Sequence, residues 1–111
     1  MAAYVPDKGD IIWLNFDPSR GKEMMKRRPA FVVSRKSFNK HLGIAVVAPI
    51  TSTIRGIKLE VVLPDSLMTS GSVLVYQLKS LDILQRQAKF IEKAPKQITD
   101  EVTALVEIIV R

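Results

Sequence analysis

Gly9-Asp10-Ile11-Ile12-Trp13-Leu14-Asn15-Phe16-Asp17-Pro18 holds the first apolar run of the chain. A short run of β-branched and aromatic residues, entered through Gly-Asp and left through Asp-Pro, reads as a strand over 11–16. Its apolar residues do not alternate with polar ones. Ile12, Leu14 and Phe16 form one face and are expected in a core, while Ile11 and Trp13 on the other face require a second cover from another element or a partner subunit.

Downstream, Pro18-Ser19-Arg20-Gly21-Lys22-Glu23-Met24-Met25-Lys26-Arg27-Arg28-Pro29 leads to a second strand, Ala30-Phe31-Val32-Val33-Ser34, with Pro29 at its first position. The connection exceeds the ~2–5 residues that a hairpin needs, and long loops on rigid scaffolds are where binding and catalysis concentrate. Arg20, Lys22, Lys26, Arg27 and Arg28 surround a single acid, Glu23. This loop is the candidate functional site.

Short apolar runs continue at regular intervals: 44–48 stopped by Pro49, 59–63 stopped by Pro64-Asp65, and 72–76 after Gly71. Residues 35–42 form a polar connection with room for one helical turn, and the signal over 77–93 is weak apart from a short strand near 89–92. Closely spaced strands punctuated by Gly and Pro, with no long helix between them, predict a small antiparallel barrel or sandwich. Pro95 at a first helical position opens a different pattern. Ile98, Val102, Leu105, Val106 and Ile109 share one face of an amphipathic helix, with Asp100, Glu101 and Glu107 turned to water.

A chain of 111 residues fits one domain, with no repeat or linker dividing it. The absence of Cys excludes disulfides, thiolate metal sites and a cysteine nucleophile, and His41 alone excludes a multi-histidine metal site or a histidine-pair mechanism. No run approaches the ~20 apolar residues of a membrane span, and the N-terminus lacks the layout of a signal peptide. A cytoplasmic protein is expected. The formal charge of +6 predicts an anionic partner, with nucleic acid first and an acidic protein segment second. The basic residues cluster, with eight Lys or Arg against one Glu over residues 20–40.

Neither a phosphate-binding glycine loop nor a Ser-His-Asp set occurs. Near the strand mouths there are instead Glu23, Arg28 and Thr51, accompanied by Lys22, Arg27, Ser52, Arg55, Gln77 and Lys79. By residue type these suit anion binding better than catalysis.

Gly9-Asp10-Ile11-Ile12-Trp13 through Asp17-Pro18, Gly21-Lys22-Glu23, Arg28-Pro29-Ala30-Phe31-Val32-Val33-Ser34, Pro49-Ile50-Thr51-Ser52 and Gln77 together resemble the MazF/PemK (Kid) toxin ribonucleases nearly end to end. The resemblance implies a mainly β (α+β) fold over residues 1–111, an SH3-like antiparallel β-barrel with a C-terminal amphipathic helix and a short appended helix, assembled as a homodimer. It further implies the toxin component of a type II toxin–antitoxin system that inhibits translation and growth. Such a toxin is a metal-independent, cofactor-free, sequence-specific endoribonuclease cleaving single-stranded RNA or mRNA, with a cognate acidic antitoxin as its inhibitor. The motif residues fall on Glu23, Arg28 and Thr51 as the catalytic set. RNA contacts are expected from Lys22, Arg27, Ser52, Arg55, Gln77 and Lys79. In the implied chemistry the ribose 2′-hydroxyl attacks the adjacent phosphate, leaving 2′,3′-cyclic phosphate and 5′-hydroxyl ends.

Two departures stand out. Many relatives carry an Asp before the Gln, where this chain has Tyr76-Gln77, and Met24-Met25 replace more polar loop residues. The alternative reading is a non-enzymatic toxin or binding module on the same barrel, either a gyrase poison of the CcdB type or a catalytically degenerate RNA binder.

Overall fold

The computed structural model describes residues 4–17, 26–54 and 56–111. These hold β1 (Asp10–Asp17), β2 (Lys26–Val32), α1 (Lys36–Leu42), β3 (Ile44–Thr51), β4 (Glu60–Val62), β5 (Ser72–Leu74), a 3-10 turn (Val75–Gln77), β6 (Lys79–Asp82), β7 (Lys89–Lys93) and α2 (Lys96–Val110). The strands pair antiparallel in the order β4-β5-β3-β2-β1-β7, and β6 pairs with the first half of β3. The sheet curls like a barrel, yet hydrogen bonding does not close it into a ring among the described residues.

Continuous apolar runs in β1, β2 and β3 are explained by burial on both faces. Ile11, Phe31, Ala48 and Ile50 pack with Val61, Val73 and Val75 and with Ile98 and Val102 of α2. On the opposite face, Ile12, Leu14, Ala30, Val32, Ala45 and Val47 pack with Ile83, bordered by Tyr4, Leu81 and Ala88. Each such aliphatic side chain removed from water contributes about 1.5–3 kcal/mol, so these two clusters dominate stability. The cover over Ile11 therefore comes from the same chain, while Trp13, at 38% exposure, keeps an open face. The expectation for the Phe16 side chain lies outside what is described.

Several boundaries differ from the sequence reading. β2 begins at Lys26, so Pro29 sits inside the strand and not at its first position. Proline is tolerated there because β2 borders β3 only from Ala30 onward, leaving that edge of β2 open before it. β3 likewise runs through Pro49 to Thr51, since its last two residues change partner and pair with β5 at Ile50↔Val73 and Thr51↔Ser72. β5 ends at Leu74, where Val75 enters the 3-10 turn. The weak stretch resolves into β6 and β7, and the polar connection into two turns of α1, ended by Gly43 in the left-handed region, whose N–H donates to the Asn39 carbonyl.

Pro95 caps α2 and does not occupy its first position. Ile98 and Val102 are buried, whereas Ile109 is 41% exposed, because the last turn of α2 runs beyond the cluster that the helix covers.

Candidate active site

The end of β1, the start of β2 and the end of β3 meet at one edge of the sheet, where residues 18–25 connect the first two. In the β1–β2 register Leu14 faces Arg28, and a bulge between Asn15 and Asp17 bends the strand just beyond. Strand alternation puts Arg28 on the face of Ala30 and Val32, and Thr51 on the face of Val47. Both residues therefore crown the rim of the same cluster. The β2–β3 ladder ends at Ala30↔Pro49, so Arg28 and Thr51 each stand two residues beyond its last pair, at the same end of the two strands. Neither strand alone places this pair.

Arg28 is exposed, and among the described residues its guanidinium makes no ion pair. Its planar fork of donors matches the oxygens of a phosphate. Thr51 is half-buried at the last position of β3, and its Oγ1 accepts the N–H of Thr53 at 3.2 Å. A hydroxyl that accepts this bond still has its own proton to donate. Gly71 holds Thr51 from behind. It adopts φ +113°, and a β-carbon there would lie 1.9 Å from the Thr51 carbonyl oxygen and 2.9 Å from the Ser52 α-carbon. Only a residue without a side chain lets the two backbones approach so closely. Glu60 steadies the same corner by accepting the Ser72 hydroxyl at 2.6 Å and the Gly56 N–H at 2.8 Å.

Lys79, opposite Val47 on β6, lies on the Arg28 face by register. Ser52 follows Thr51 into the exposed turn. Gln77, in the 3-10 turn, donates its side-chain amide to the Tyr76 hydroxyl at 3.2 Å. Arg27 departs from the expected cluster. It alternates to the opposite face of β2 and lies 5.7 Å above the Trp13 ring, held there by cation–π attraction. Glu23, Lys22 and Arg55, with Met24 and Met25, lie outside the described residues.

Two contributors escaped the sequence reading. Gly71 reads as ordinary turn punctuation until β5 is seen against Thr51. Trp13 was legible as half-covered, but the cavity beside it was not. Asn15 is 2% exposed, donates to Gln87 Oε1 at 3.2 Å, and has a buried Oδ1 without a partner among the described residues. No group of three or more His, Asp or Glu side chains comes together among the described residues as a metal ion would require.

Residues 7–110 match the family described as PemK-like, MazF-like toxin of type II toxin-antitoxin system. The endoribonuclease toxin MazF of Escherichia coli strain K12 is 40% identical over 81 residues, covering 73% of this chain and 72% of the relative. The endoribonuclease toxin ChpB of the same strain is 33% identical over 110 residues, covering 94% and 93%. Among solved structures, MazF of Deinococcus radiodurans superposes with a TM-score of 0.86 at 39% identity over 97% of this chain and 98% of that one. A MazE–MazF structure from the same organism gives 0.89 at 39% identity over 97% of each. A barrel-like sheet of this topology, together with matches spanning nearly the whole chain, establishes that the chain belongs to the PemK-like, MazF-like toxin family of type II toxin–antitoxin systems.

Proposed function

We propose that this toxin acts as a metal-independent, sequence-specific endoribonuclease on single-stranded RNA, with Arg28, Thr51 and Glu23 as its catalytic set. The convergence of Arg28 and Thr51 on one rim, at the mouth of the loop carrying Glu23, is the observation that carries this reading. The 2′-oxygen attacks phosphorus as its proton passes to a base, assigned to Glu23, and the bond to the 5′-oxygen breaks as that oxygen gains a proton. Arg28 spans two phosphate oxygens and stabilises the charge that accumulates at the pentacoordinate stage. Thr51 donates to a phosphate oxygen. The very high intrinsic pKa of arginine favours an electrostatic role for Arg28 over proton donation. RNA lacking the 2′-hydroxyl at the cleaved position, like DNA, is spared.

Lys22, Ser52, Arg55, Gln77 and Lys79 are assigned to the RNA path around this rim, and Arg27 to its far side. The chain is read as one domain working in the cytoplasm as a homodimer. The exposed Ile108, Ile109 and Val110 at the end of α2 support self-association, which light scattering would measure. A net charge of +6 suits an acidic antitoxin that folds onto the toxin, in keeping with the MazE–MazF complexes among the similar structures. The test is incubation of the purified, antitoxin-free protein with long single-stranded RNA in excess EDTA, beside Arg28→Ala. Discrete cuts with 2′,3′-cyclic phosphate and 5′-hydroxyl ends, abolished in a folded Arg28→Ala, are expected. Full cleavage by that variant would remove the assignment. Trapping of cleaved DNA by gyrase, without RNA cleavage, would replace it with the gyrase-poison reading.

A further inference from the structure

Trp13 is the only tryptophan in the chain, and it stands on the face of β1 opposite to the Arg28/Thr51 rim. Its ring borders a cavity of about 310 Å³ lined by Trp13, Pro29, Met68, Thr69, Ser70 and Ile91. That volume is at the small end of ligand pockets and suits one heterocycle. Arg27 lies over the ring at 5.7 Å, and Lys89 is the register partner of Trp13 on β7, so the slot has an aromatic wall flanked by two cations.

The opposite wall is built in advance. Glu92 of β7 accepts the Met68 N–H at 3.1 Å and both the Thr69 N–H and hydroxyl at 2.8 Å, clamping the start of the loop over the sheet. Two residues on, Gly71 seats the end of this loop against the Thr51 carbonyl. One short segment thus faces Trp13 at one end and touches the catalytic threonine at the other.

We propose that this slot holds a nucleobase of the RNA strand, stacked on Trp13, while Arg27 and Lys89 meet the phosphates beside it. The inference rests on the ribonuclease reading and adds a contact outside the catalytic set. Single-stranded nucleic acid is held where an aromatic face and positive charge coincide, since every base has a π-face and every link a phosphate. An acidic protein segment could meet Arg27 and Lys89, whereas a nucleotide carries a flat π-face for Trp13 and the counter-charge for both cations in one unit.

Because Trp13 is the sole tryptophan, its fluorescence reports the slot directly. The probes are short 2′-O-methyl oligonucleotides of mixed sequence, which cannot be cleaved, and the same backbone with abasic positions. Saturable quenching by the base-bearing probe and little by the abasic one is expected. In cleavage of ordinary RNA, Trp13→Ala should raise KM by about 5- to 150-fold, the range of one lost base stack, with a much smaller change in kcat, while Trp13→Phe recovers most of the loss. Ser70→Trp, placed on an exposed loop position, fills the slot without touching either core and should raise KM similarly even where Trp13→Ala fails to fold. Equal quenching by both probes, or unchanged KM in folded Trp13→Ala or Ser70→Trp, would overturn the proposal. So would quenching by an acidic peptide but by neither oligonucleotide. Wild type that cleaves no RNA defeats the ribonuclease reading itself, whereas cleavage with unaltered slot variants defeats only the base slot.

Discussion

Gly71→Ala tests how the fold places Thr51. The added methyl would sit 1.9 Å from the Thr51 carbonyl oxygen, a separation that must open to at least 3.0 Å, so the two backbones must part by about 1.1 Å. The glycine's φ of +113° adds to the strain, since L-alanine disfavours it. Overpacking of this kind costs about 1–3 kcal/mol and the backbone conformation about 1–2 more. A domain with a stability of ~5–15 kcal/mol should survive this loss with a lowered Tm. Activity should fall further than stability suggests, because a displacement near 1 Å at a reacting group costs about 100-fold in rate. The assay is single-turnover cleavage of RNA at saturating enzyme, paired with binding of an uncleavable 2′-O-methyl RNA and thermal melting. The expected result is a folded variant that binds RNA within a few-fold of wild type and cleaves it about 100-fold more slowly. D-alanine introduced at the same position by chemical ligation accepts the positive φ and directs its methyl away from Thr51, so it should recover most of the rate. Wild-type cleavage by Gly71→Ala, or equal damage from both alanines, would refute the link between this close approach and Thr51.

Arg28→Lys keeps the charge but loses the two-pronged contact, and should lower the single-turnover rate by about 10²–10³-fold while RNA affinity changes little. A variant as fast as wild type would show that charge alone suffices. Glu92 provides a pH test. Burial raises its pKa, but the Met68 N–H and the Thr69 hydroxyl and N–H outweigh this and hold it below the usual value of 4.5. The folded carboxylate is therefore favoured, so its contribution is fully present above about pH 4.5 and is lost as pH falls through the lower folded pKa. The Met68 and Thr69 amide resonances should titrate below the ordinary glutamate range and stop doing so in Glu92→Gln, and a midpoint at or above that range would contradict the clamp.

Local pattern carried much of this molecule. Gly-Asp and Asp-Pro bracket β1, and the spacing of Ile98, Val102, Leu105 and Val106 marks the inner face of α2, because turn chemistry and helical period act within a few residues. Boundaries failed where neighbours decided them. Pro29 read as the first residue of a strand and Pro49 as a stop, yet both lie inside strands, since β2 gains its β3 neighbour only from Ala30 and β3 changes partner after Pro49. Whether Ile11 was covered by its own chain or by another was equally undecidable from β1 alone.

The candidate site divides along the same line. Residue types and motif spacing in the chain determined Arg28 and Thr51 as chemically suited to a phosphate, and the matches across residues 7–110 established the family. The sequence also marked Arg27 for the same cluster, and strand alternation sent it to Trp13 instead. Only the tertiary structure decided that Arg28 and Thr51 share a rim, that Gly71 props Thr51, and that the 67–71 loop walls the Trp13 cavity. Motifs specify which groups are present through local chemistry, whereas the separation between groups on different strands depends on register, face and the close approach of backbones far apart in the chain.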